Sequence, residues 1–343
     1  MSRTRRRVAP ALGLFALAPL IGECLLGNLT VPEIVFFLLP LLAPMYGGGA
    51  LLIREVARRT GRGPATMLVL GVAYGLVEEG LADQMLFNRD YAGHDLMGDT
   101  YIPGLGIGGW LTIGVVTMHA VWSTNVAIAL AEALVPGRAE TPWLGRTGLV
   151  VTGAVFLAGT AVVAYGNYTE EHFMASPVQL LVTLALVVAL VLVAFRIRPR
   201  TPVAGTVPGP WAIGALALAA AALFLQTARL PGWWSAACAA ALIVAASAGV
   251  IRWSRHGEWG RSHRLALAGG ALLAYAGGSF ATSPESAPKQ GADYVVNAVL
   301  AVAAIGLLLV AARRSSSRPL APAGPPVAST RERRTPGERQ YER

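Results

Sequence analysis

The sequence predicts an all-α protein: a polytopic integral membrane bundle of about ten transmembrane helices with both termini in the cytoplasm. Three observations carry this. Hydrophobic residues make up 54% of the chain against 14% charged ones. The apolar residues gather in runs of roughly 20, the length a helix needs to cross the hydrocarbon core. And 25 of the 28 Lys and Arg residues fall in alternate loops and the two tails, as the positive-inside rule requires for one orientation.

Reading the runs against turn and charge signals places spans near 8–27, 31–53, 64–88, 109–135, 147–166, 177–196, 210–228, 232–252, 265–280 and 293–312. The first follows Arg3, Arg5, Arg6 and Arg7; a glutamate at Glu23 and the lack of a small-x-small site argue that this segment stays rather than being cleaved. The second carries Pro40, Pro44 and Gly47-Gly48-Gly49, a kinked or broken helix. The third holds Gly71 and Gly75, a G-x-x-x-G step that lets a neighbouring helix approach closely. The ninth is the shortest. Only Arg89, Arg229 and Lys289 fall in the loops assigned outside.

Three regions follow: 1–135, four helices carrying the ionisable residues; 136–312, an apolar scaffold of six; and 313–343, a basic tail rich in Arg, Pro, Ser and Glu that cannot bury a core and reads as disordered. Cys24 and Cys238 are the only cysteines, which excludes a disulfide framework and a cysteine metal site. The formal charge of +9 does not mark a nucleic-acid binder, because the basic residues sit at span ends and not among aromatics on a polar face. The lipid bilayer is the expected partner, in the cell membrane. Trp143, Trp211, Trp233, Trp234 and Trp253 lie at span ends as interface anchors.

Charged side chains within hydrocarbon cost about 2.5–3.5 kcal/mol each on insertion scales, so their positions point to function. Glu78, Glu79 and Asp83 lie on the third span, His119, Ser123, Asn125 and Glu132 on the fourth, with Glu23 and Glu33 in or beside the first two. Helical spacing puts Glu79 and Asp83 on one face and turns Glu78 about 100° away. Glu79 falls roughly 13 Å, and His119 roughly 15 Å, from the outer ends of their helices, which places them at one depth. A buried Glu/His site follows, in which Glu78 or Glu79 is a general base and His119 a ligand or oxyanion stabiliser, with Asp83, Ser123 and Asn125 around them. The same pair, Glu79 and His119, is the candidate metal-binding set, for a divalent ion such as zinc. Glu132, near the cytoplasmic end, reaches water or Arg138. The outer loop with Asp90, His94, Asp95 and Asp99 reads as solvated, without calcium-loop spacing.

On these residues the chain resembles the CAAX-processing and bacteriocin-immunity family of intramembrane proteases. Their pattern is Glu-Glu-x-x-x-Arg, then Phe-x-x-x-His, then His-x-x-x-Asn/Asp. Glu78-Glu79 matches the first pair and His119, forty residues on, the first histidine; Asp83 and Val115 stand at the arginine and phenylalanine positions, and no later span carries the second histidine. The resemblance covers about 64–135 and implies a glutamate-dependent or metal-dependent hydrolase acting on a membrane-held peptide or lipid. Two other classes compete: a proton-coupled transporter, for which the second half offers no counterpart to Pro40-Pro44-Gly47 or Glu78-Glu79, and a non-catalytic scaffold or immunity-type protein whose polar knot fixes helix packing.

Overall fold

The computed structural model describes residues 3–198, 201–284 and 288–316. Among them the chain forms ten helices: α1 (3–24), α2 (31–59), α3 (64–82), α4 (109–134), α5 (Arg146–Glu171), α6 (Pro177–Arg196), α7 (Pro210–Gln226), α8 (Trp233–Trp253), α9 (Arg261–Gly278) and α10 (Gly291–Ser316). Seven of these, α3 to α8 and α10, are long and apolar enough to cross a membrane. The basic tail lies, from 317 onward, outside the described residues.

Local chemistry sets the helix ends. Pro64, Pro177 and Pro210 each occupy the first helical turn, where a missing N–H costs nothing. Ser176 caps α6, accepting from the Gln179 N–H while the Gln179 side chain accepts from Ser176 N–H. His172, at φ +51°, turns the chain out of α5 in the left-handed region.

Two ends of the bundle are defined by contacts between loops. At one end Glu171 accepts from the Asn88 amide and the Ala92 N–H, Gln84 accepts from Ala175 N–H, and Trp110 donates to Thr227. This end carries the 83–108 loop, which folds into two short hairpins, Asp90–Tyr91 with His94–Asp95 and Tyr101–Ile102 with Ile107–Gly108. There the Arg89 guanidinium, hydrogen-bonded to Asp95, holds that carboxyl below the usual carboxylate range, and the Gly98 N–H adds to the effect. At the other end Arg54, Arg59 and Arg62 reach backbone carbonyls of 138–144 and Phe195.

Burial separates inner from outer helices. In α3 and α4, 61% of the apolar window is buried, against 11% in α5, α6 and α10, whose Val, Leu and Ile side chains face outward as lipid-facing surfaces do. The short α9 is mostly buried, its Ala and Gly residues lying against α7 and α10. Trp122 of α4 stacks on Tyr275 of α9 with ring centroids 4.3 Å apart and donates to the Ala271 carbonyl at 2.8 Å.

The glycine step on α3 sets the α3–α4 distance. A Cβ on Gly71 would stand 2.7 Å from Thr124 Oγ1 and 3.1 Å from the Ala120 carbonyl; one on Gly75 would meet Val116 at 3.2 Å. Gly71→Val is therefore expected to separate the two helices and destabilise the protein by about 1–3 kcal/mol, read as a lowered midpoint of unfolding in detergent. An unchanged midpoint would show that the helices can part without cost.

Candidate functional site

Four helices bring their polar side chains to one place, and each does so through a π-helical stretch: Leu20–Cys24 in α1, Leu38–Gly47 in α2, Glu78–Ala82 in α3 and His119–Val126 in α4. Wider π turns are rare and concentrate at functional sites, because they shift the register of a helix and re-aim its side chains. In α1 and α2 prolines account for them: Pro19 precedes the first stretch, and Pro40 and Pro44 lie within the second.

His119 is the centre. Its Nε2 lies 2.5 Å from Glu79 Oε1, and its Nδ1 lies 3.1 Å from Ser123 Oγ, one helical turn on. Glu78 Oε2 also faces Nδ1, at 2.9 Å, sharing that nitrogen with Ser123 and forming an ion pair when the imidazole is charged. All four residues are buried. The expectation that Glu78 turns away from this face is thus corrected. It assumed 3.6 residues per turn, and the π geometry at 78–82 lets both adjacent glutamates reach the imidazole.

Other sequence-derived positions divide. Asp83 lines the same cavity and accepts from the Met85 N–H at 3.1 Å, while its carbonyl accepts from the Asn167 side chain. Asn125 does not join the site. Its amide donates to the Ala120 and Met67 carbonyls, at 2.8 and 3.3 Å, on the face of α4 that packs against α3. Glu132 pairs with Arg58 through two hydrogen bonds of 2.8 and 2.6 Å and with Arg54 at 3.2 Å.

Five contributors escape helix-by-helix reading. Glu23 of α1 accepts from Tyr46 Oη at 2.5 Å and from the Asn28 amide at 2.9 Å. Tyr46 and Tyr74 set their rings about 6 Å from the His119 ring. Glu170 reaches the cavity from α5, so the site draws on the region assigned as scaffold, as does Tyr275 of α9. The cavity these groups share measures about 300 Å³, near the lower limit for small-ligand pockets.

A proton can move along this set. With Nε2–H donating to Glu79, Nδ1 accepts from the Ser123 hydroxyl; as imidazolium, His119 donates at both nitrogens. A carboxylate–imidazole pair beside a cavity has the parts of a general base for water. The donor set does not fit a metal. Both ring nitrogens already face side-chain oxygens, the Glu79–His119 contact leaves no gap for an ion between them, and among the described residues no three His, Cys, Asp or Glu side chains are grouped to hold one.

A family model described as an uncharacterized membrane protein family matches residues 12–317. No curated protein and no solved structure matches the chain.

Proposed function

Since the chain belongs to that membrane protein family, we propose that it is a multi-pass intramembrane hydrolase in which Glu79 and His119 activate a water inside the cavity. The observation that carries this reading is the 2.5 Å Glu79–His119 contact, buried yet opening onto a 300 Å³ cavity. In this reading Glu79 takes the proton of the attacking water as the new C–O bond forms and gives it to the leaving group as the amide or ester bond breaks, while His119 Nε2–H holds the carboxylate in place, so the chemistry depends on glutamate and no step needs a metal. The likeness of Glu78-Glu79 and His119 to the CAAX-processing motifs supports a membrane-held peptide or lipid as substrate. The carrier reading is weaker, since α6 to α9 place no carboxylate in the cavity.

Reconstituted in liposomes, the protein is expected to cleave an amide or ester bond tethered to a lipid anchor, with the rate unchanged by a strong chelator. Failure on both bond types, or loss of rate on chelation, would contradict the proposal.

The topology belongs to the same reading. All ten helices cross the cell membrane, with both ends cytoplasmic and the 83–108 loop outside, as the basic-residue distribution supports. Single cysteines introduced at Gly93 and Gly257, in a background where Cys24 and Cys238 are serine, are expected to react with a membrane-impermeant thiol reagent from outside and from inside respectively. Labelling of both from one side would overturn the assignment.

A further inference from the structure

Hydrogen-bond capacity at the cavity is unbalanced. Glu79 Oε2 and Asn28 Oδ1 are buried acceptors without a hydrogen-bond partner, Glu78 Oε2 has only His119 Nδ1 at 2.9 Å, which also faces Ser123 Oγ, and all three residues line the cavity. Among the described residues the Tyr74 hydroxyl, beside His119, is the one buried donor of the cluster without a hydrogen-bond partner, and of those lining the cavity none is Lys or Arg. Carboxylates outnumber the one imidazole: Glu23, Glu78, Glu79, Asp83 and Glu170 all contribute to the lining. A ligand without donors would leave these acceptors unmatched at about 1–3 kcal/mol for each, and a neutral hydroxyl or amide would supply at most one or two donors and no charge to face the carboxylates.

One wall has the opposite character. Between the π stretch of α2 and the loop end of α5, the cavity is bounded by Leu41 and Leu42 on one side and by Val162 and Val163 on the other, and Val162 is 52% exposed on the lipid-facing surface. An apolar chain can lie along this wall while its head occupies the polar interior.

We infer that the cavity binds the primary ammonium head of a lipid-like amphiphile, whose chain passes between α2 and α5. An R–NH3+ group has three donors and no acceptor, the complement of the unmatched acceptors. A quaternary ammonium offers the charge without the donors. This ligand class extends the hydrolase reading of the same cavity, and binding is measured without turnover so that the two fail separately.

The experiment is equilibrium binding to the full-length protein in maltoside micelles, with dodecylamine, its N,N,N-trimethyl analogue and dodecanol as probes. Dodecylamine is expected to bind saturably, one per chain, about tenfold or more tighter than either analogue, as charge-assisted hydrogen bonds require. Glu79→Gln should remove most of that preference. The comparison of probes on the wild type stands even where a variant fails to fold. Equal binding of the trimethyl analogue or of dodecanol would overturn the inference. Amine preference without hydrolysis would keep the ligand class and reject the enzyme, whereas hydrolysis without amine preference would do the reverse.

Discussion

Replacing Glu79 by glutamine is expected to slow hydrolysis by about 10²–10⁴-fold, the usual contribution of a positioned general base, while the unfolding midpoint stays close to wild type. Glutamine has the shape of glutamate, and its amide oxygen can still accept from His119 Nε2–H, so the 2.5 Å contact survives in form. What it cannot do is take up a proton. The measurement pairs turnover in liposomes with thermal unfolding of the same preparation. If the carboxylate only fixed helix packing, activity and stability would fall together; a folded, inactive variant separates the two roles.

The second large effect lies at the other end of the molecule. Arg54 is fully buried and donates to Glu55 at 2.6 Å and to the Ala139 and Thr141 carbonyls at 2.9 Å each, while its guanidinium lies 3.3 Å over the Trp143 ring. Glu55 in turn accepts from the Trp143 and Leu144 N–H groups. The loop from α4 to α5 is therefore clamped to α2 by a charge cluster in which Arg54 faces both Glu55 and Glu132. Removing Arg54 takes the closest cation from buried Glu55 and the donor from the Ala139 and Thr141 carbonyls, so Arg54→Met is expected to destabilise the protein by about 3–5 kcal/mol, although Glu132 keeps Arg58. Unfolding in a denaturant series in detergent reads this directly, and a change below about 1 kcal/mol would show that water reaches the cluster. Because the clamp stands at the opposite end from the cavity, the rate per folded molecule should persist.

These two residues also show how much was legible beforehand. Apolar runs located ten helices in order, seven of them long and apolar enough to cross a membrane, but not their ends where polarity and helix part: α2 runs on through 54–59 and α5 through 167–171, while α3 stops at Ala82 instead of 88. Equal depth predicts that Glu79 and His119 meet, but only with the third helix carried to 88; α3 ends at Ala82, so Glu79 lies in its last turn and the contact does not follow from helical rise alone. Nor does the reach of Glu78 to the imidazole, because nothing in the residues 78–82 or 119–126 announces a π turn; proline does so only in α1 and α2. Glu23 and Tyr46 stand 23 residues apart in sequence and meet only through the packing of α1 on α2. Arg54 was read as a topology marker at a span end, whereas its pairing with Glu55 and the distant 138–141 carbonyls holds a loop. Asn125 looked like a site residue by proximity to His119, but its amide is consumed by the Ala120 and Met67 carbonyls.

The central claim is that Glu79 and His119 act as one unit. Its most direct test is a double-mutant cycle on turnover, comparing Glu79→Gln, His119→Ala and the double variant with wild type, each checked for folding. Residues that act as a unit are strongly non-additive, so the double variant should be no slower than the slower of the two single variants. Losses that multiply would mean that the two side chains act independently, and would contradict the account.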